Sequence, residues 1–146
     1  MFIPEEEYKD ILKKLPIACV DLLIIYEKKC LLLKRNNEPA KGEYWFPGGR
    51  IHKNESIANA AIRIAKGETN LDCRFVKIVS VEESMFKKNN DIYCDIHTIN
   101  VCCEMTVGDV TSIKVNILHE SFIWIDNIND VYHQAVSNPL RMVGFQ

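Results

Sequence analysis

The chain has 146 residues, 47% hydrophobic and 26% charged, with a formal charge of -2. That length suits one domain over residues 1–146 with a proper core. The weak acidic balance excludes a nucleic-acid surface driven by bulk charge, and no long apolar run provides a signal peptide or a membrane span. A cytoplasmic protein with neither nucleic acid nor membrane as partner is expected. Cys19, Cys30, Cys73, Cys94, Cys102 and Cys103 form no CxxC pair, and most lie in apolar runs. They read as small buried hydrophobes in a reducing compartment rather than as zinc ligands.

Pro4 to Lys14 predicts a short helix, with Pro4 in its first turn. Glu5, Glu6 and Glu7 lie at its positive end and Lys13 and Lys14 at its negative end. Pro16 stops it. Ile17 to Tyr26 is a β-branched apolar run, hence a strand buried on both faces. Glu27-Lys28-Lys29 turns the chain, and Cys30 to Arg35 returns as a second strand. Asn36 to Gly42 is a loop containing Pro39 and Gly42. A Pro47-Gly48-Gly49 turn precedes a helix over roughly Glu55 to Thr69, with Asn54 as N-cap. Its apolar positions Ile57, Ala60, Ala61, Ile64 and Ala65 recur at helical spacing. Asn70 suits the left-handed residue that ends it. Strands are predicted at Cys73 to Ser84 and Ile92 to Met105, with a turn at Lys87 to Asp91. A short strand follows at Phe122 to Ile125, then helices at Ile128 to Val136 and Pro139 to Val143. This order predicts an α/β fold, an α/β/α sandwich around a mixed sheet.

The chemistry concentrates between Trp45 and Leu71. Glycines let backbone groups approach a ligand, and a carbonyl of the turn, such as that of Gly48, can ligate a hard cation. Glu68 supplies a carboxylate ligand from the helix. Arg35 and Arg50 are placed to meet a diphosphate with paired donors. Taken singly, Glu55 reads as a helix N-terminal charge, Arg63 as a structural partner of a carboxylate, and Glu68 as a solvated face residue. Asp21 is a carboxylate inside an apolar strand, so a partner or a role is expected; substrate orientation and a structural salt bridge are both open. His119, alone, would read as an exposed loop residue.

The joint spacing resembles the Nudix box: Gly49, five residues, Glu55, seven residues, Arg63, then Glu68 and Leu71. Ile64 and Gly67 stand where that box carries two further metal-binding glutamates, and Asn70 departs from it as well. The missing glutamates resemble the GDP-mannose mannosyl hydrolase branch. So do the Met1-Phe2-Ile3 start with Tyr8, the Asp21 strand, the segment from Leu32 to Ala40 with Gly42, and His119 ahead of Phe122-Ile123-Trp124-Ile125. The resemblance implies a magnesium- or manganese-dependent enzyme. It would hydrolyse GDP-mannose or GDP-glucose at the sugar anomeric carbon, releasing GDP and free sugar. It implies His119 as general base, Arg35, Arg50 and Asp21 as catalytic partners, and Phe2, Ile3 and Tyr8 as substrate contacts. Phe2 and Tyr8 would stack on a base or pack on a partner subunit, since a homodimer is also implied. Two departures matter. Leu118 replaces a glutamine metal ligand, with Glu82, Glu83, Glu120 or water as substitutes, and Thr98 replaces an aromatic hydroxyl. An ordinary nucleoside diphosphate-derivative diphosphatase and a weakly active nucleotide-binding module are the alternatives.

Overall fold

A computed structural model describes residues 2–146; Met1, part of the expected N-terminal arm, lies outside them. The first helix, α1, spans Glu5–Lys14, where Lys9 pairs with Glu5 at 2.8 Å and Glu6 at 3.0 Å. Leu15 then turns extended ahead of Pro16, as a residue before proline must. Strand β1 (Ile17–Tyr26) returns as β2 (Lys29–Arg35) through Glu27 and Lys28, both at positive φ. Two short strands follow, β3 (Tyr44–Trp45) and β4 (Gly48–Arg50). Helix α2 spans Ile57–Thr69, then come β5 (Cys73–Phe86), β6 (Ile96–Val107), β7 (His119–Ile125) and α3 (Gln134–Met142).

The strands form one mixed sheet in the order β3-β2-β1-β6-β5, with β4 also paired to β1 and β7 to β2. β1 and β6 run parallel, and the other pairs are antiparallel. Alternation along β1 and β2 builds a core on each face. Val20, Leu22, Ile24, Leu31 and Leu33 pack with Ala60, Ala61, Ile64 and Ala65 of α2. Leu23 and Leu32 pack with Ala135, Val136 and Leu140 of α3. This is the expected α/β/α sandwich.

Several boundaries differ from expectation. The N-cap of α2 is Ser56, whose Oγ accepts from the Asn59 N–H at 3.1 Å. Asn54 instead adopts φ 64, inside a turn closed by the Glu55 N–H on the His52 carbonyl at 3.1 Å. Asn70 does end α2 in the left-handed region, at φ 59. The two C-terminal helices are one. His133 Nδ1 caps α3 by accepting from the Ala135 N–H at 3.1 Å, and Pro139 lies inside it. The chain before His133 is turn, and the chain from Ile92 to the start of β6 is loop, pinned by the Ile92 N–H on Asn89 Oδ1 at 2.9 Å.

Two differences shape the site. The Pro-Gly-Gly segment does not end as a free turn. Gly48 and Gly49 begin β4, facing Asp21 and Val20 of β1. A Cβ at Gly48 would collide with Asp21 Oδ1 and sit 2.8 Å from the Val20 carbonyl oxygen, so only glycine permits this approach. β7 begins at His119 rather than Phe122. A register shift at Lys34 and Arg35 lets Arg35 face His119 across the β2–β7 pair.

Candidate active site

A cavity of about 500 Å³ opens over the sheet, lined among others by Tyr8, Asp21, Arg35, Gly48, Gly49, Arg50, Glu68, Leu118 and His119. The β1–β4 and β2–β7 pairings and the end of α2 thus converge on one place. Glu55 and Arg63 do not line it. Arg63 Nε and Nη2 form a fork on Glu55 at 2.7 and 2.9 Å, and Nη2 also donates to the Arg50 carbonyl at 3.0 Å. Glu55 Oε2 accepts from the His52 N–H at 2.9 Å, and the hydrogen bonds from Arg63, joined by that from the His52 N–H, hold the Glu55 carboxyl down at about 2. These residues staple the segment after Gly49 to α2.

The positions where the box would carry carboxylates part ways here. Ile64 is a core residue, and a Cβ at Gly49 would lie 3.2 Å from its Cδ1. Gly67 is exposed with open space around it. Glu68 alone turns into the cavity. Its Oε1 accepts from Asn116 Nδ2 at 3.0 Å, and its Oε2 lies 3.3 Å from His119 Nδ1. Burial raises the Glu68 carboxyl above its usual range, opposed by the Asn116 bond and the Arg35 charge.

His119 is buried, not an exposed loop residue, because β7 already includes it. Asn116 fixes its tautomer. With Nδ2 on Glu68, Asn116 turns Oδ1 toward the Leu118 N–H at 3.1 Å and His119 Nδ1 at 3.0 Å. His119 Nδ1 therefore faces two acceptors and carries the proton, leaving the Nε2 lone pair free of it. Burial and the Arg35 charge push the imidazole down to about 4. The ring is then neutral at pH 7, and its approach to Glu68 is a hydrogen bond rather than an ion pair.

Among the described residues Asp21 makes no salt bridge. Its Oδ2 accepts from Asn100 Nδ2 at 2.9 Å, and Asn100 Oδ1 accepts from Thr98 Oγ1 at 2.6 Å. Burial raises the Asp21 carboxyl to about 7, against the Asn100 bond and the Arg35 charge and with help from Glu82. Arg35 is held by its Nε on the Pro39 carbonyl at 2.7 Å and a longer bond from Nη2 to Asn37 Oδ1 at 3.5 Å. The Arg50 guanidinium lies 5.6 Å from the Tyr8 ring centre. Phe2, Ile3, Tyr8 and Arg50 line a smaller cavity of about 180 Å³; Tyr8 and Arg50 belong to both.

Of the suggested substitutes for Leu118, two are engaged elsewhere. Glu120 pairs with Lys34 at 3.4 Å, and Glu83 with His97 at 2.9 Å, both at the surface. Glu82 alone acts electrostatically on Asp21. Sequence reasoning missed Asn116, Asn100 and Ser84. Asn100 and Ser84 are buried polar residues in strands, the same signal that singled out Asp21. Asn116 sits in a loop and carries no such signal.

Among the described residues no cluster of three or more His, Cys, Asp or Glu side chains forms a metal cage. The oxygen donors of Glu68 and the Gly48–Gly49 backbone suit a hard cation whose remaining ligands are water and substrate oxygens. No helix among the described residues is long and apolar enough to cross a membrane.

The NUDIX domain profile matches residues 16–112. The chain is 33% identical over 108 residues to the low-salt glycan biosynthesis protein Agl8 of Haloferax volcanii, covering 73% of this chain and 69% of that protein. It is 36% identical over 69 residues to an ADP-ribose pyrophosphatase of Methanocaldococcus jannaschii, covering 47% of this chain and 41% of that one. The crystal structure of a MutT NUDIX hydrolase from Burkholderia pseudomallei superposes with a TM-score of 0.72 at 19% identity, over 89% of this chain and 99% of that one, which shows the shared fold.

Proposed function

The chain belongs to the NUDIX family, and from that membership we propose that it hydrolyses a GDP-sugar, GDP-mannose or GDP-glucose, at the anomeric carbon. The observation behind this reading is the pairing of a single cavity carboxylate, Glu68, with a buried neutral His119 whose Nδ1 proton is fixed. Attack on phosphorus usually gathers several metal-binding carboxylates, and here Ile64 and Gly67 remove two. Attack on carbon needs a base for water and charge neutralisation on a leaving diphosphate. His119 Nε2 accepts the proton from that water. Arg35 and Arg50 bind the diphosphate and take up the charge that builds as the glycosidic bond breaks. Asp21, anchored by Asn100, orients the substrate. Glu68 and the Gly48 carbonyl would hold magnesium or manganese, which would supply further charge neutralisation on the diphosphate. The single carboxylate fits a metal shared with substrate rather than a protein-only site. Similarity to a protein named for glycan biosynthesis supports a sugar nucleotide.

Phe2, Ile3 and Tyr8 are read as contacts for the base, with the Arg50–Tyr8 stack as their anchor. A second reading, cleavage between the phosphates, is favoured by the 36% identity to an archaeal ADP-ribose pyrophosphatase. Product analysis after incubation with GDP-mannose or GDP-glucose and magnesium separates the two. GDP plus free sugar is expected; GMP plus sugar 1-phosphate would replace this reading with the second.

A further inference from the structure

The loop ahead of β7 is seated on the end of α2. The Lys114 N–H donates to the Thr69 carbonyl at 2.9 Å, and the Asn116 N–H to the Glu68 carbonyl at 3.3 Å. Those carbonyls belong to the last turn of α2 and lack a partner within the helix. On its other side the loop is tied to the chain just past β2. The Asn36 N–H donates to the Leu118 carbonyl at 2.9 Å, and Asn36 Nδ2 to the Ile117 carbonyl at 3.4 Å. These ties carry Asn116 to the gap between Glu68 and His119.

The orientation of its amide is set by the backbone. A main-chain N–H only donates, so the Asn116 atom 3.1 Å from the Leu118 N–H is Oδ1. Nδ2 then faces Glu68 Oε1 at 3.0 Å, and Oδ1 also faces His119 Nδ1 at 3.0 Å. The Glu68 and His119 side chains are 15% and 6% exposed, so little water competes for these contacts. One amide thus touches both the carboxylate offered to a cation and the imidazole offered to a water. Asn116 itself does not line the cavity.

We propose that Asn116 is a positioning residue that couples Glu68 to His119, so that cation affinity and the tautomer of the base depend on one side chain. This rests on the roles of Glu68 as cation ligand and His119 as base given above. Through Nδ2 it keeps the carboxylate turned into the cavity. Through Oδ1 it keeps the proton on His119 Nδ1 and the Nε2 lone pair free for water. It acts through these two groups rather than on the substrate, so its loss lowers turnover more than it changes substrate binding.

The test uses Asn116→Ser, whose hydroxyl can still accept from the Leu118 N–H and keep the turn but is too short to span Glu68 and His119. Asn116→Ala is run beside it. Asn36→Ala, which loosens the same loop without touching either group, is the control. The readouts are manganese binding to the free protein by electron paramagnetic resonance, the His119 tautomer from ring-nitrogen chemical shifts, and kcat and KM with GDP-mannose. Both Asn116 variants are expected to weaken manganese binding and lower kcat by roughly 10- to 100-fold, with KM changed by less than about threefold. The Nε2–H tautomer of His119 should become populated. In a Glu68→Gln background, Asn116→Ser should weaken manganese binding no further, because it acts through that carboxylate. Asn36→Ala should leave all of these at their natural values. Additive losses in the double variant, or a change in manganese binding or in the tautomer alone, would overturn the coupling. So would unchanged readouts in both Asn116 variants, or equal losses in Asn36→Ala, which would mark the loop as merely structural. If the natural protein binds no manganese and releases nothing from GDP-mannose, the functional reading falls and this inference with it, a result distinct from one confined to the Asn116 variants.

Discussion

Restoring the missing box carboxylates one at a time separates core from cavity. Ile64→Glu puts a carboxylate at a 5% exposed position inside the core between α2 and the sheet. Losing the buried isoleucine costs roughly 2–3 kcal/mol. Keeping the new carboxyl neutral at pH 7, against a reference near 4.3, costs roughly a further 3–4 kcal/mol. The sum, about 5–7 kcal/mol, rivals the total stability of many domains, about 5–15 kcal/mol. Because the folded state raises the pKa of this group, the penalty is smallest below pH 4 and grows as pH rises. Gly67→Glu, in open space on the same helix, should change stability by no more than about 1 kcal/mol. Urea denaturation at pH 4 and pH 8, with chelator present, measures both. A cost below about 1 kcal/mol for Ile64→Glu, or one that does not vary with pH, would refute the placement of Ile64 in the core.

Three further outcomes are expected. His119→Gln should lower kcat by roughly 10²-fold or more, and the activity of the natural protein should fall as pH drops through about 4, where His119 gains its proton. Near-normal turnover in the variant would remove His119 as base. Glu55→Gln should cost about 1 kcal/mol at neutral pH, a modest value because the Arg63 side chain is 40% exposed and solvent screens the pair. With the folded pKa of Glu55 lowered to about 2, that contribution is present above the usual carboxylate range and lost as pH falls through about 2, so the two proteins should converge in acid. Glu68→Gln should shift the magnesium titration of activity to higher concentration, and an unchanged titration would remove Glu68 as a ligand.

Local signals and one long-range motif made much of this legible. The apolar run of β1 showed burial on both faces, and the α2 pattern named residues that do pack on the sheet. The spacing from Gly49 to Glu68 fixed the family. Yet spacing alone did not divide the box into parts. Glu55 and Arg63 staple a loop and Glu68 enters the cavity, a distinction set by where α2 lies on β1 and β4. The exposure of His119 was misjudged because it depends on a register shift opposite Arg35, a tertiary feature with no local signature. Asn116 escaped notice for the same reason: its two ends matter only once the loop before β7 brings them between Glu68 and His119.

The central claim is that water attacks the sugar carbon rather than a phosphorus atom. Incubation with GDP-mannose and magnesium in oxygen-labelled water, followed by mass spectrometry of the products, tests it most directly. The expected result is unlabelled GDP with the label on the anomeric oxygen of free mannose. Label in GMP or in mannose 1-phosphate would contradict it.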